Sequence, residues 1–240
     1  MSSKSCTGMS RIADGDGRLM TGVILTGGKS SRMGQEKALM PVGGVPVFRR
    51  ILDLFEKLFD EVLIVTDREG RFAGYGCREV VDLIPDCGPV GGVYTGLHYA
   101  GSSPVFAVSC DLPFVHVSAV ELIMKEAAVH DIVVPDIHGR LHPLHATYSR
   151  RCMPYLLERI GDNRLNITGF VNEMGGEMGG EMGGEMQGLS IKRVSAGEWV
   201  KEDPEFRSLF NMNTIDDWNE ANELAEAGRR DKPCAQSKRH

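Results

Sequence analysis

Arg32 and Lys37 lie in a glycine-rich stretch, and their spacing predicts a binding site for a polyphosphate. The stretch follows the apolar run 22–25, which predicts a strand, and it opens with Gly27 and Gly28. Glycine has no Cβ, so the backbone can approach an anion and direct its N–H groups at phosphate oxygens. Arginine adds a fork of donors, and lysine adds a point charge. The pattern is neither a P-loop nor a dinucleotide-binding fingerprint. The alternative is an ordinary βα turn with surface cations.

Asp111 is a carboxylate that would suit a divalent cation, because it follows the apolar run 105–108. In open α/β sheets ligands bind beyond the carboxyl ends of the strands, so Asp111 would face the same crevice as the glycine loop. Mg²⁺ prefers one or two carboxylates together with phosphate oxygens and waters. A single well-placed Asp is therefore sufficient, although an Asp at this position also suits a simple turn before Pro113.

The motif L-x-G-G-x-S-x-R-M-G-x-x-K at residues 25–37 resembles the N-terminal signature of nucleotide-sugar-type nucleotidyltransferases. In this form it most resembles the molybdenum cofactor guanylyltransferase family, over about residues 20 to 228. The resemblance implies GMP transfer from GTP to the terminal phosphate of the molybdenum–pterin cofactor. It also implies that Leu25 and Thr26 contact the nucleotide and that Asp111 binds the metal. Thr26 stands where the family more often has Ala, and the contact there is mainly through the backbone.

The resemblance also implies a site for guanosine at a second glycine loop, residues 87–92, which follows the predicted strand ending at Asp82. The Asp82 carboxylate would accept hydrogen bonds from the N–H groups of guanine, and Gly88 and Gly92 would let base and ribose lie against the backbone. The alternative is a surface turn with close helix packing at Gly92. The family often has Asn after its second strand, where this chain has Thr66-Asp67.

Two asparagines, Asn211 and Asn213, resemble the late Asn-x-Asn-Thr motif of the same family. The resemblance implies that both touch the pterin substrate and that Asn213 reaches the metal shell. Thr214 with Asp217 also fits a helix N-cap and a first-turn carboxylate. The resemblance places His142 beside the acceptor site. Strand alternation predicts that His142 and His145 lie on opposite faces, which disfavours a shared metal site.

The elements that must position these residues alternate along the chain. Runs rich in Val and Ile predict strands at 21–26, 61–66, 78–82, 104–109 and 131–135. Apolar spacing predicts a helix from Pro46 to Phe59, and further helices at 90–100, 117–129, 150–160 and 214–227. Residues 131–135 and 141–148 suggest antiparallel pairing. The pattern predicts a mostly parallel sheet covered by helices on both faces. With the resemblance, this implies a single Rossmann-like three-layer α/β/α nucleotidyltransferase domain.

Three parts are predicted along the chain: a disordered extension at 1–19, the nucleotidyltransferase domain at 20–228 and a disordered basic tail at 229–240. Within the domain, residues 173–186 repeat Glu-Met-Gly-Gly. Half of each unit is Gly, which raises the entropy cost of ordering, so we predict a flexible loop there.

Composition narrows the class of protein. The 240 residues carry a formal net charge of −6, which disfavours nucleic acid and anionic membranes as partners. No apolar stretch approaches the ~20 residues that span a bilayer. The first residues lack the apolar segment of a secretory signal. The six scattered cysteines suit free thiols. A cytoplasmic protein is predicted, as a monomer or weak oligomer.

We therefore predict a guanylyltransferase that forms molybdopterin guanine dinucleotide and releases pyrophosphate, with Mg²⁺ as its cofactor. Arg32, Lys37 and Asp111 would be its catalytic residues. Its partners would be GTP, molybdenum–molybdopterin and, transiently, molybdopterin-handling proteins and apo-molybdoenzymes. The alternatives are a cytidylyltransferase or sugar-phosphate nucleotidyltransferase of the same fold, or a non-catalytic carrier of nucleotide or pterin.

Overall fold

The fold is described by a computed structural model over residues 20–26, 37–175 and 188–230. The side chains of Lys37, Arg229 and Arg230 are not part of that description. The predicted extension at 1–19, the last ten residues of the predicted tail and most of the Glu-Met-Gly-Gly repeat lie outside the described residues.

The sheet is mixed and mostly parallel. Its strands run in the order β10-β7-β9-β6-β1-β4-β5, with β8 paired to β7 and with β2 and β3 forming a separate hairpin. β9 pairs antiparallel with both β6 and β7, which confirms the predicted antiparallel element. The strands are β1 Thr21–Leu25, β2 Pro41–Val42, β3 Val45–Pro46, β4 Glu61–Thr66, β5 Arg78–Val81, β6 Val105–Ser109, β7 Ile132–Ile137, β8 Arg140–Leu141, β9 His145–Tyr148 and β10 Ile191–Ser195.

Helices cover both faces of the sheet, and none that the structure describes is long and apolar enough to cross a membrane. Short 3-10 helices occupy Lys37–Leu39, Ala73–Tyr75, Arg150–Cys152 and Arg207–Leu209. The α-helices are α1 Val47–Leu58, α2 Gly88–Tyr99, α3 Val117–Met124, α4 Met153–Gly161, α5 Ile167–Met174, α6 Ala196–Trp199 and α7 Ile215–Arg230.

Two hydrophobic cores lie on opposite faces of the sheet. Successive side chains of a strand point to opposite faces, so Ile24 joins the core under α1, α3, α6 and α7, whereas Val23 and Leu25 join the core under α2, α4 and α5. Both cores are closed to solvent, as the full burial of Phe106 and Phe170 shows. This arrangement confirms the predicted three-layer α/β/α domain.

Parallel pairing brings several polar residues to one edge of the sheet. Leu25 stands opposite Val65 of β4 and Ser109 of β6, so these three strands end within one residue of one another. The backbone ladder continues one residue further, because the Cys110 N–H donates to the Leu25 carbonyl and the Asp82 N–H to the Thr66 carbonyl. We call this side of the sheet the carboxyl edge.

The predicted boundaries differ from the structure in two instructive places. Pro46 was expected in the first helical turn, but it pairs with Pro41 in the β2–β3 hairpin and α1 begins at Val47. The helix expected over 117–129 ends at Met124, because the residues that follow make tighter bonds such as Ala127 N–H to the Met124 carbonyl. The structure adds β2, β3, α5, α6 and β10, which were not predicted.

Helix α7 is tied to the β2–β3 hairpin. The Trp218 indole N–H donates to the Pro41 carbonyl at 2.9 Å, and the Gly43 N–H donates to Asn222 Oδ1 at 2.9 Å. The hairpin comes directly after the 3-10 helix that begins at Lys37. The segment that leaves the glycine loop is therefore held in place by α7.

Gly96 of α2 permits close packing of that helix on β1, and its replacement tests this contact. A Cβ at Gly96 would lie 2.7 Å from Cγ1 of Val23, so Gly96→Ala is expected to lower the free energy of unfolding by about 1–2 kcal/mol in urea denaturation. Gly161→Ala in α4 is the matched control, since nothing lies within 4 Å of a Cβ there. The control should be neutral or more stable by up to about 1 kcal/mol. Equal effects at both glycines would contradict this packing argument.

Candidate active site

A cavity of about 410 Å³ opens at the carboxyl edge, and we call it the first cavity. It gathers residues from the ends of β1, β4, β5 and β6 and from the start of α2, which is where ligands bind in open α/β sheets. Its lining residues are Leu25, Val65, Asp67, Asp82, Asp86, Gly88, Pro89, Gly92, Ser109 and Leu144.

Four of the predicted nucleotide contacts meet in the first cavity: Leu25, Asp82, Gly88 and Gly92. Three other predicted residues, Gly27, Gly28 and Arg32, lie outside the described residues. Lys37 begins a 3-10 helix, but its side chain is not described. The phosphate-binding roles of Gly27, Gly28, Arg32 and Lys37 therefore stay predictions.

Thr26 is buried and turned into the protein. Its backbone N–H and its hydroxyl both donate to the Val65 carbonyl, at 3.0 and 2.9 Å. Its own carbonyl accepts a hydrogen bond from the Arg71 guanidinium at 3.2 Å. The side chain of Thr26 therefore fastens β1 to β4 at the point where the glycine loop begins.

The two glycines at the start of α2 differ in their surroundings. Gly88 has φ of 54°, a conformation that favours glycine, and a Cβ there would meet nothing within 4 Å. A Cβ at Gly92 would lie 3.2 Å from Cδ2 of Leu25. Gly92 therefore lines the cavity and also permits close packing of the helix on the strand, while its contact with nucleotide stays a prediction.

Asp82 lines the first cavity and has a carboxyl group with a raised pKa. Burial raises the pKa of its carboxyl group to about 6, with a further rise from the negative charge of Asp67 and an opposing hydrogen bond from Thr95. Its Oδ1 atom is buried and makes no hydrogen bond to the described residues. An acceptor in this position would be completed by a ligand that brings N–H donors.

Asp111 lies directly beyond β6, beside the segment that carries the two predicted asparagines. The Met212 N–H donates to the Asp111 carbonyl at 3.0 Å, which brings Asn211 next to this strand end. The Asn211 Oδ1 atom is buried and accepts no hydrogen bond from the residues of the described ranges. Carboxylate and amide oxygens are ligands that hard divalent cations accept, so this donor set fits Mg²⁺.

Asn213 and Thr214 form the start of α7. The N–H groups of both residues donate to Oδ2 of Asp217, at 2.7 and 2.8 Å, and the Asp217 N–H donates to the Thr214 hydroxyl at 3.1 Å. This reciprocal arrangement confirms the predicted helix cap. The Asn213 side chain is exposed, so its predicted contact with substrate stays a prediction.

A second cavity of about 360 Å³ lies beside this segment. Burial lowers the pKa of its His142 to about 4, helped by the positive charge of Arg140 and opposed by Asp136, so the imidazole is neutral at pH 7. The sequence prediction placed His142 at the acceptor site but did not identify the other walls. The lining residues are Ile137, His142, Glu205, Phe206, Arg207, Leu209, Phe210, Glu220 and Leu224.

The two cavities are neighbours. His142 lines the second cavity, and Leu144, two residues later, lines the first. In the same way Ser109 lines the first cavity and Phe210 lines the second, and the backbone bond from Met212 to Asp111 joins their two segments. Asp111 and Asn211 therefore lie on two hydrogen-bonded segments, one of which continues from a wall of the first cavity and the other from a wall of the second.

Among the described residues, His142 and His145 have different surroundings. His145 is fully buried in β9, with Phe106 and Trp199 packed edge-on against its ring. Burial lowers its pKa to about 3, so it is a neutral core residue. Throughout the described ranges, no group of three or more His, Cys, Asp or Glu side chains is placed to hold a metal ion.

Sequence reasoning missed Asp67, which lines the first cavity, and Arg71, which binds the Asp67 carboxylate from behind that wall. They form an ion pair at 2.6 Å. The available signal was their spacing of four residues directly after β4, together with the departure from Asn noted at this position.

Known proteins are similar to this chain in sequence and in fold. A model of the MobA-like NTP transferase domain matches residues 22–173, more than half of the chain. A probable molybdenum cofactor guanylyltransferase of Pelotomaculum thermopropionicum is 36% identical over 150 residues, which cover 62% of this chain and 73% of that protein. A molybdenum cofactor guanylyltransferase of Desulfosudis oleivorans is 29% identical over 212 residues, with coverage of 88% and 98%.

The solved structures agree on the fold. Molybdopterin-guanine dinucleotide biosynthesis protein A of Archaeoglobus fulgidus matches with a TM-score of 0.73 at 23% identity, over 87% of this chain and all of that one. The predicted fold class and the predicted family resemblance are both confirmed. The chain is a nucleotidyltransferase that belongs to the MobA-like NTP transferase family.

Proposed function

We propose that this protein transfers GMP from GTP to the terminal phosphate of a molybdenum–pterin cofactor. The observation that carries the proposal is the pair of cavities whose walls are joined by the hydrogen-bonded segments of Asp111 and Asn211. A transferase for two bulky substrates needs two such sites, because its reacting phosphates must meet at their junction. The names of the most similar relatives support these two substrates.

The first cavity suits the guanosine part of GTP. The buried Oδ1 of Asp82 would accept a hydrogen bond from the ring or exocyclic N–H groups of guanine. The bare backbone at Gly88 would allow the base and ribose to lie close to it. The triphosphate would then extend past Leu25 towards Gly27, Gly28, Arg32 and Lys37, the predicted phosphate contacts.

The second cavity suits the acceptor. Phe206 and Phe210 offer aromatic surface for a planar pterin. Arg207 carries a positive charge in the same wall, where a phosphate would compete with its partner Glu205. His142 would contribute as a neutral hydrogen-bonding group. These residues line a volume of about 360 Å³, within the range of small-molecule sites.

A divalent cation, which we propose to be Mg²⁺, would be held by Asp111 with the Asn211 amide oxygen beside it. When bound, it would supply positive charge that offsets the charge of the phosphates. The remaining work of the protein is positioning. The backbone bond between Met212 and Asp111 keeps the two oxygen donors on neighbouring segments.

The reaction needs no strong base, because the acceptor phosphate is already an anion at neutral pH. One of its oxygens would attack the α-phosphorus of GTP in line. A new P–O–P bond forms to the acceptor, the bond from the α-phosphorus to the bridging β-oxygen breaks, and pyrophosphate leaves. The contribution of the chain would be alignment and charge neutralisation.

The decisive experiment is pyrophosphate release with GTP, CTP, UTP or ATP, each with Mg²⁺ and with purified molybdenum–pterin cofactor. We expect release that requires both GTP and the cofactor. Release with CTP in place of GTP would replace the proposal by a cytidylyltransferase. Nucleotide binding without release from any mixture would favour a different acceptor or a carrier.

A further inference from the structure

The ion pair of Arg71 and Asp67 lies at the wall of the first cavity, which Asp67 lines, and Arg71 contacts two strand ends at once. One guanidinium nitrogen, Nη1, donates to the Thr26 carbonyl at 3.2 Å and to Asp67 Oδ1 at 2.6 Å. Thr26 follows β1, and Asp67 follows β4. The Asp67 side chain lines the first cavity, and Thr26 directly precedes the glycine loop in the sequence.

Arg71 is itself held in place. Its side chain is only 13% exposed. Its guanidinium lies over the ring of Phe72, 5.5 Å from the centroid. The backbone N–H groups of Arg71 and Phe72 both donate to Oε1 of Glu79, at 3.0 and 3.3 Å. A side chain fixed by stacking and by its own backbone loses little further entropy when it holds other groups in place.

We propose that Arg71 is a positioning residue of the nucleotide site, which fixes the Thr26 peptide at the start of the glycine loop and the Asp67 carboxylate at the cavity wall. The inference rests on the proposed nucleotide site. Arg71 is not placed in contact with substrate, so its effect would pass through Thr26 and Asp67. Asp67 would in turn act on Asp82 through its charge.

The charged groups around Asp82 allow a specific test of the role of Arg71. The groups that face Asp82 within the described part of the chain are Asp67, Asp86 and the Cys87 thiol, with Arg71 behind Asp67. Burial raises the pKa of Asp67, but the charge and hydrogen bond of Arg71 outweigh it and keep the pKa below its usual value. Asp67 is therefore ionised over the range in which Asp82 titrates.

The two partners of the ion pair should have opposite effects on Asp82. Asp67→Asn keeps an oxygen that accepts from Arg71 but removes the negative charge, so the pKa of Asp82 should fall. Arg71→Gln removes a positive charge, so the same pKa should rise. If GTP binds to the ionised form of Asp82, the affinity for GTP declines as pH falls through about 6. This decline should move to lower pH in Asp67→Asn and to higher pH in Arg71→Gln.

The experiment is calorimetric titration of the full chain with GTP between pH 5 and 8, together with KM and kcat for pyrophosphate release. We expect Arg71→Gln to weaken binding at pH 7.5 about tenfold, the size of one lost charge-assisted hydrogen bond, and to raise KM more than it lowers kcat. Arg71→Lys should recover most of the affinity, because it restores the charge. Asp67→Asn should bind within about threefold of the wild type at this pH, since the bond to Arg71 survives.

Arg78→Gln is the matched control, since Arg78 forms an exposed ion pair with Glu61 at 2.5 Å and is not among the residues that line the first cavity. It should leave GTP affinity unchanged. Shifts of the acidic decline in the same direction in both variants, or GTP binding by Arg71→Gln within twofold of the wild type, would overturn the role of Arg71. If Arg71→Gln fails to fold, the remaining variants Arg71→Lys and Asp67→Asn show whether the decline of GTP affinity at acidic pH shifts or stays in place.

The same titrations separate this inference from the proposed function. Binding of another nucleoside triphosphate in place of GTP would overturn the guanine preference, and the Arg71 comparison would then be made with that nucleotide. Failure of all four triphosphates to bind the wild-type protein would overturn both. The ionisation of GTP itself is common to all variants, so it cancels in the comparison.

Discussion

Replacement of Asp111 by alanine should lower the rate of pyrophosphate release about 10³-fold. The proposed role of this carboxylate is to hold the cation that offsets phosphate charge, and such charge stabilisation is worth several kcal/mol, or about tenfold in rate for each 1.4 kcal/mol. The fold should survive, because Met212 bonds to the backbone carbonyl of Asp111 and not to its side chain. Steady-state kinetics at saturating GTP and acceptor would measure the loss.

The control for this prediction is Asp53→Ala, which removes a half-exposed carboxylate of α1 that pairs with Arg49. It should leave the rate unchanged. Asp111→Asn should retain a little activity and need more Mg²⁺ for half-maximal rate, since an amide oxygen is a weaker ligand than a carboxylate. Turnover of Asp111→Ala close to that of the wild type would rule out the assigned role.

Asp203→Ala should lower the free energy of unfolding by about 3–4 kcal/mol, because it leaves several buried donors without an acceptor. The carboxylate is almost fully buried. It accepts from the Ser208 hydroxyl at 2.6 Å, the Ser208 N–H at 2.8 Å and the Arg207 N–H at 3.1 Å. It therefore holds the turn that forms one wall of the second cavity. Urea denaturation would measure the change.

The contribution of Asp203 to the free energy of unfolding should depend on pH. Burial raises the pKa of Asp203, but hydrogen bonds from His116 and Ser208 outweigh burial and hold the pKa well below its usual value. The pKa of an Asp in the unfolded chain is about 3.9, so a lower pKa in the folded protein stabilises the fold at pH values above about 3.9. This stabilisation is lost as the pH falls below about 3.9. The difference in stability between wild type and Asp203→Ala should therefore narrow from pH 7 to pH 3.

Glu205→Ala is the matched control for stability. Glu205 is 64% exposed and pairs with Arg207 at the surface, where ion pairs contribute less than about 1 kcal/mol. Its loss should change the free energy of unfolding by no more than about 0.5 kcal/mol. An equal effect of the two substitutions, or a difference that stays constant with pH, would contradict the role of Asp203 as a buried anchor.

Much of the fold could be predicted, because its central elements carry strong local patterns. The buried strands β1, β4 and β6 contain short apolar runs rich in Val, and α1 carries a complete apolar face. The missed elements are short or weakly patterned. In β10, only Val194 is fully buried, so alternation is faint. The β2–β3 hairpin was detectable, since Gly43 and Gly44 form a two-residue turn signal between valines.

The candidate site was predictable where a residue comes within two positions of the end of a predicted strand, as Asp82 and Asp111 do. Parallel strands place such residues at one edge, and the structure bears this out for Asp82 in the first cavity. The second cavity was not predictable in the same way, because its walls come from three distant parts of the chain that share no local motif. Arg71 was missed because its importance comes from one hydrogen bond to Thr26, 45 residues away in sequence.

The bonds between α7 and the β2–β3 hairpin bear on how the molecule acquires activity during synthesis. Trp218 and Pro41 are separated by 177 positions, and Asn222 and Gly43 by 179. A ribosome releases the hairpin long before it makes the helix, and domains with such distant contacts complete their folding late. A nascent chain without α7 would therefore contain most of the strands of the sheet. It would lack the hydrogen bonds from α7 that hold the β2–β3 hairpin, which follows the glycine loop. Competence for catalysis would arrive only with the last helix.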